Sequence, residues 1–318
     1  MRTSTLGEGG PEVGVVGLGC MGMTFAYDPT GRDDATSTTV IRTALDLGVT
    51  LLDTADIYGP YSNEELVGAA LAGPYRERTV LATKVGLVPG EGDELVRRNG
   101  RPEHIRRSID DSLRRLGTDH VDLYQLHRVD PEVPIEESWG ALAEAVTAGK
   151  ARRIGLSEVT VEEIKRAQSV HPVASVQSEL SLWTRDPLTE VLPYTEEQGI
   201  AFLPFSPLGR GFLTGRFGSP DDLPADDWRR TLPRFQQDAL KANLALVDAV
   251  AAIAARYGAT PAQVALAWVL AQGRYVLPIP GTKTPRYLAD NAASADLVLT
   301  AEDRAELDAL PAPTGGRY

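Results

Sequence analysis

The sequence predicts an α/β protein that closes as a (β/α)8 barrel. Three observations predict it: eight short and nearly undiluted apolar runs, a segment of helical period after each, and surplus stretches (86–101, 128–135 and 207–236) that all follow strands. VGVVGL (13–18) is the first run, and STLGEGGPEV (4–13) ahead of it, Gly-rich at its middle, reads as a hairpin plugging the lower end. TVIRTALDLG (39–48) follows, with Val40, Ala44 and Leu47 on one side. VTLLD (49–53) is the second strand. Its helix, SNEELVGAAL (62–71), opens on Ser62 with Glu65 three residues on, the spelling of a capping box. TVLAT (79–83) leads to RPEHIRRSIDDSLRRLG (101–117), with Pro102 in the first turn and Gly117 past the end. VDLYQLH (121–127), ARRIGLS (151–157), VASVQS (173–178), IAFLPFS (200–206) and YVLPIP (275–280) complete the strands. Their helices fall at 135–149, 160–168, 187–199, 260–273 and 284–292. A doubly wound sheet is the alternative architecture. No linker interrupts the repeat, so residues 1–318 are expected to form a single domain.

A net charge of −12 argues against a general binder of nucleic acid or anionic membrane, while leaving room for one basic pocket. Cys20 is the only cysteine, which excludes an intrachain disulfide and fits a reducing compartment. MRTSTLGEGG has no apolar core of a signal peptide, and no apolar run nears the roughly 20 residues that span a bilayer. A cytoplasmic location is expected. No metal is expected.

GLGCMG (17–22) spells G-x-G-x-x-G, but the Rossmann reading needs a helix directly afterwards. Pro29 and Gly31 stand where that helix would run. The match is a decoy for that fold.

If the barrel closes, polar groups at the ends of strands 2, 3 and 4 converge: Asp53 with Tyr58, then Lys84, then His127. A Lys beside a Tyr lowers the phenol's pKa, an Asp holds the Lys oriented and charged, and a His steers a carbonyl oxygen. Together they make an acid able to protonate a developing oxyanion. Singly, each also reads as a helix cap, a snorkelling lysine or a structural histidine. Four at corresponding strand ends favour a joint site.

DTADIYG (53–59), ATK (82–84) and LYQLH (123–127), in this order, resemble the signature of the aldo-keto reductases. GLGCMGM, EELVGAAL, IGLSE, SVQSELSLW, SPLGRGFLTG and IPGTK also have counterparts there, nearest the branch of plant perakine-reductase-like enzymes and bacterial homologues. The resemblance implies that Tyr58 is the general acid, that Lys84 and Asp53 tune it, and that His127 orients the substrate carbonyl. It implies NADPH as cofactor, with Gly22 and Met23 beside the nicotinamide ribose, Ser157, Glu158 and Gln177 at the carboxamide, and Phe205 stacked on the ring. The loop Ser206, Pro207, Leu208, Gly209, Arg210 and Gly211 would wrap the pyrophosphate. Ile279, Gly281, Thr282 (a cap for the helix from Pro285), Lys283, Arg286 and Tyr287 would meet the ribose 2′-phosphate end, and Asp290 and Asn291 the adenine. Relatives often have Asn where Glu158 stands and Arg where Tyr287 stands. Met23, Phe25, Tyr58, His127, Trp183 and Phe212 are the expected substrate pocket, suited to an aromatic or apolar aldehyde or ketone.

The expected function is therefore reduction of a small-molecule carbonyl compound with NADPH, with no nucleic-acid or membrane partner and an oligomeric state left open. A cofactor-binding regulatory subunit of the same fold and a Schiff-base aldolase using Lys84 are the alternatives.

Overall fold

The computed structural model describes residues 1–27, 31–90, 96–225 and 227–317, so Pro29 and parts of the surplus stretches lie outside the described residues. A hairpin opens the chain, β1 (Thr3–Thr5) paired antiparallel with β2 (Glu12–Gly14). The barrel then runs β3 (Leu18–Gly19), α1 (Asp34–Asp46), β4 (Leu51–Asp53), α2 (Ser62–Leu71) and β5 (Val80–Val85). A second hairpin, β6 (Leu87–Pro89) and β7 (Val96–Arg98), sits above β5. Next come α3 (Pro102–Leu116), β8 (Val121–Leu126), α4 (Ile135–Thr147), β9 (Ala151–Ser157) and α5 (Val161–Gln168). β10 (Ser175–Glu179), α6 (Val191–Glu197), β11 (Ala201–Phe205), α7 (Gln237–Tyr257), α8 (Pro261–Leu270), α9 (Pro285–Ala293) and α10 (Ala301–Asp308) complete the order.

Seven parallel strands lie side by side in the order β3-β4-β5-β8-β9-β10-β11. That sequential order has no reversal point, which excludes the doubly wound sheet. The run 275–280 closes the ring. On one side Leu277 N donates to Phe202 O at 2.9 Å and Ile279 N to Pro204 O at 3.0 Å. On the other, Gly17 N donates to Pro278 O at 2.9 Å and Gly19 N to Pro280 O at 3.3 Å. Pro278 and Pro280 accept from the first strand but have no N–H to return, so the expected eighth strand pairs only through the isolated bridges Phe202↔Val276 and Gly19↔Gly281.

Alternate residues of each strand face in. Leu51, Val80, Ala82, Leu123, Leu203, Leu277 and Ile279 fill the interior, and Leu6 and Val13 of the hairpin plug its lower end. Leu52, Leu81, Tyr124, Leu156 and Val176 face out to the helices and join the larger core there. The inward series turns polar at the upper ends, with Asp53, Lys84, Gln125, His127, Ser157 and Gln177.

Several expectations need correction. The run 13–18 is not one strand: Val13 belongs to the hairpin, and the barrel strand is only Leu18–Gly19. α1 begins at Asp34, earlier than expected, because the Asp33 side chain accepts from Thr36 N. No capping box forms at Ser62. Tyr61 is the N-cap, at φ 68°, and the Ser62 hydroxyl instead donates to Gly59 O at 2.7 Å. The sequence pattern predicts no helix at α7, although its buried Leu246, Val247, Val250, Ile253 and Ala254 keep helical spacing. Its many alanines blur the apolar stripe. α10 likewise has no counterpart in the predicted repeat, and the expected helix 187–199 is α6 behind a single 3-10 turn.

Two helical glycines make a matched test of packing. A Cβ on Gly68 of α2 would lie 2.6 Å from Leu116 O, where α2 rests on the end of α3, whereas one on Gly140 of α4 would meet nothing within 4 Å. Gly140→Ala should stabilise by up to about 1 kcal/mol through helix propensity. Gly68→Ala has the same propensity gain but should lose about 1–3 kcal/mol to overpacking. Urea unfolding midpoints measure both, and a shift of the same sign would contradict the packing of α2 on α3.

Candidate active site

Lys84 lies at the upper end of β5 with its ammonium wholly buried. Its Nζ donates to Asp53 Oδ1 at 2.5 Å, Thr54 O at 2.8 Å and Tyr58 Oη at 3.3 Å. Three acceptors satisfy three N–H bonds, the condition under which a buried charge is tolerated. The second oxygen of Asp53 accepts from Gln177 Nε2 at 2.9 Å and Gln125 Nε2 at 3.2 Å. Parallel pairing in register β4–β5 and β5–β8 brings these strand ends to one level.

Tyr58 sits in the turn after β4, and Asn63 holds that turn. Asn63 accepts from Thr54 Oγ1 at 2.6 Å and donates to Cys20 O and Thr24 Oγ1 at 3.0 and 2.8 Å. The His127 ring stands edge-on to the Tyr58 ring at 5.7 Å, and Phe25 stacks on Tyr58 at 6.1 Å. Nδ1 of His127 is buried without a partner among the described residues.

Charge states follow from burial and neighbours. Burial pulls the Lys84 ammonium down, but Asp53 and Tyr58 together outweigh it and hold the pKa above the ordinary lysine value. Burial, then the charges of Lys84 and Arg128, push the His127 imidazole well below its usual range, so it is neutral near pH 7. Burial also raises the Tyr58 phenol. Lys84 pulls it back only in part, which corrects the expectation of a net lowering.

Ser157 and Gln177 reach the same mouth, although Gln177 is turned down onto Asp53, and Ser157 Oγ accepts from Arg128 Nη1 at 3.1 Å. Phe205, half-buried, ends β11. Glu158, at φ 54°, accepts from Glu179 N at 2.9 Å and pairs with Arg317. Arg210 is joined to the same group: it pairs with Glu179 at 3.0 Å and donates to Arg317 O at 3.0 Å. Ser206, Gly209, Arg210 and Gly211 all have positive φ, with Pro207 and Leu208 between them, and the backbone there folds into tight turns.

Other expected residues lie elsewhere. Trp183 and Phe212 are buried against each other, ring centres 4.3 Å apart, with Phe235 edge-on to both, so they pack under the loop. Met23 is buried in a 3-10 turn, and a Cβ on Gly22 would make only an ordinary contact with Tyr27. The glycines that matter in GLGCMG are Gly17 and Gly19. Their added Cβ atoms would lie 2.9 Å from Ile279 Cγ2 and Ile279 O, so they serve barrel closure. Ile279 faces the interior and Gly281 bridges to Gly19.

Beyond closure, Lys283 Nζ donates to Gly31 O at 2.9 Å. Thr282 does not cap α9; Thr284 is the N-cap, and Thr282 Oγ1 accepts its N–H at 3.1 Å. The Arg216 guanidinium lies 5.0 Å over the Tyr287 ring, bringing a cation to that position from another loop. Arg286 is exposed on the first turn, while Asp290 and buried Asn291 lie further along α9.

Sequence reasoning missed Asn63, Gln125, Arg128, Glu179, Arg216 and Arg317. The inward periodicity of LYQLH marks Gln125. Nothing in sequence marks Arg317, which reaches the mouth only through tertiary contacts. Among the described residues no group of three or more His, Cys, Asp or Glu is arranged to hold a metal, and no helix is long and apolar enough to cross a membrane. Cavities of about 400 and 360 Å³ lie at the N-terminal ends of the strands, away from this convergence of polar groups.

A profile of the Aldo/keto reductase family matches residues 15–312. The chain is 44% identical over 317 residues to "Probable aldo-keto reductase 1" of Glycine max, spanning 98% of this chain and 90% of that one. Among solved structures, a glycerol dehydrogenase of Gluconobacter oxydans superposes with a TM-score of 0.84 at 33% identity, over 94% of this chain and 91% of that one. An aldo/keto reductase of Klebsiella pneumoniae in complex with NADP and acetate superposes with a TM-score of 0.76 at 28% identity, over 100% and 99%.

Cys20, wholly buried beside Asp53, has its thiol pushed up to about 12, first by burial and then by the Asp53 charge. An unfolded thiol titrates near 8.5, so at pH 8 only the unfolded chain offers appreciable thiolate. A disulfide reagent at pH 8 should leave the native protein unmodified and label one thiol per chain in guanidinium. Rapid native labelling would show that the site opens.

Proposed function

Because the chain belongs to the aldo/keto reductase family, we propose that it reduces aldehydes or ketones to alcohols with NADPH, using Tyr58 as the proton donor. The observation that carries this reading is Lys84 Nζ held between Asp53 and Tyr58 Oη. NADPH, when bound, supplies the hydride that adds to the carbonyl carbon.

The residues present suit that cofactor. Phe205 offers a ring face at the mouth beside Ser157 and Gln177. The turns of 206–211 and the basic groups of Lys283, Arg286 and Arg216 near the start of α9 suit a phosphate-bearing ligand.

Tyr58 stays protonated at neutral pH because burial raises its pKa, so the phenol keeps a proton at Oη for the carbonyl oxygen. Lys84 does not need to ionise it beforehand; the ammonium 3.3 Å away stabilises the phenolate left behind. Asp53, held by Gln125 and Gln177, keeps that ammonium in place. Neutral His127 donates a ring N–H to the substrate oxygen and keeps it beside Oη. Phe25 and the Tyr58 ring supply the apolar side of the pocket. The aldolase reading is disfavoured, since a lysine kept cationic by Asp53 is a poor amine nucleophile. No observation of its own favours a purely regulatory role.

Tyr58→Phe should leave NADPH affinity near wild type while carbonyl reduction falls by about 10²–10⁴-fold. Cofactor fluorescence and consumption at 340 nm measure the two; undiminished aldehyde reduction would remove Tyr58 from the role. Lys283→Ala should weaken NADPH by roughly 10- to 150-fold, the worth of one charge-assisted bond to phosphate, and leave NADH little changed. Equal affinity of the wild type for both cofactors would defeat the assignment of the 2′-phosphate end.

A further inference from the structure

Three guanidinium groups reach the mouth, and two are answered by carboxylates. Arg210 pairs with Glu179 at 3.0 Å, and Arg317 with Glu179 at 2.8 Å and with Glu158. Arg128, which follows His127 at the end of β8, has no carboxylate partner among the described residues. Only one of its nitrogens is engaged: Nη1 donates to His127 O at 2.6 Å and Ser157 Oγ at 3.1 Å. Nε and Nη2 donate to no described residue. That edge is the one that meets a carboxylate through two parallel hydrogen bonds.

The position of this edge is informative. The Arg128 guanidinium is half-buried and lies 5.9 Å from the centre of the Phe205 ring. Its charge is felt at both Tyr58 and His127, the two groups that flank the substrate oxygen in the proposed reaction. Lys84 acts on both as well, but its ammonium is already paired with Asp53 at 2.5 Å. Arg128 is thus the cation at this end without a carboxylate partner among the described residues, in a chain whose net charge is −12. Its bidentate edge is left without a protein acceptor and is open to a ligand from the mouth.

We propose that Arg128 is a substrate-anion site, selecting carbonyl compounds that also carry a carboxylate, which binds its Nε–Nη2 edge while the carbonyl oxygen lies between Tyr58 and His127. The inference rests on the reductase reading and narrows its substrate class to aldehydo- and keto-acids. Hydride addition and protonation at the carbonyl leave the carboxylate unchanged, so the product is a hydroxy acid.

The test compares 4-carboxybenzaldehyde with methyl 4-formylbenzoate, which keeps the ring and the aldehyde but loses the charge. Wild type should prefer the acid by about 10- to 150-fold in kcat/KM, mostly through KM. Arg128→Gln should collapse that ratio to near parity, and Arg128→Lys, which keeps the charge without the fork, should restore part of it. Equal use of the two aldehydes by wild type, or a ratio that survives Arg128→Gln, overturns the anion site. In the second case an equal loss on both aldehydes with weaker NADPH binding would assign Arg128 to the cofactor. Turnover of neither aldehyde, with NADPH bound, would instead bring down the reductase reading beneath it.

Discussion

The ion pair of Lys84 and Asp53 is the constraint around which the upper barrel is arranged. An ammonium with no solvent exposure is tolerable only if every N–H has an acceptor, and Asp53, Thr54 O and Tyr58 Oη provide them. The carboxylate needs its own donors, which come from Gln125 and Gln177 on two further strands. Five chain segments are thus tied to one charge pair. The network explains why Gln177 points down into the barrel, while burial keeps the proton on the phenol although a lysine lies beside it.

Barrel closure sets the distances on which that network depends. Between the first strand and the run 275–280, glycines 17 and 19 let the backbones approach, and Pro278 and Pro280 still accept hydrogen bonds while donating none. The seam is short of backbone pairing, yet it is packed by Leu51, Leu277 and Ile279 inside. The three-glycine pattern therefore has a mechanical use in this fold, unlike the phosphate turn of a Rossmann domain.

The mouth opposite Tyr58 is organised by a second set of charges. Glu158, Glu179, Arg210 and Arg317 form a compact group in which two carboxylates meet two guanidiniums. Thr314 exchanges two hydrogen bonds with Asn243 of α7, which anchors the C-terminal segment beside that group. Glu158 is thereby occupied within the protein. Arg210, expected from its loop to face a pyrophosphate, is turned toward Glu179 for the same electrostatic reason. Arg128 stays outside this group, held by His127 O and Ser157 Oγ.

The sequence by itself determined the repeat of strand and helix, the hairpin plug, and the strand-end placement of Asp53, Tyr58, Lys84 and His127. These follow from periodicity and chain order, which are local quantities. It left α7 and α10 unassigned, where alanine-rich or charged stretches blur the apolar stripe. Tertiary structure alone decided the net direction of the Tyr58 pKa, the use of Gly17 and Gly19, and the burial of Trp183 and Phe212. It also decided which arginines are paired: Arg317 meets Glu158 across more than 150 residues of chain, whereas Arg128 ends beside Ser157 with one edge unused. Burial and charge pairing depend on which segments fold over one another, and no spacing along the chain encodes that.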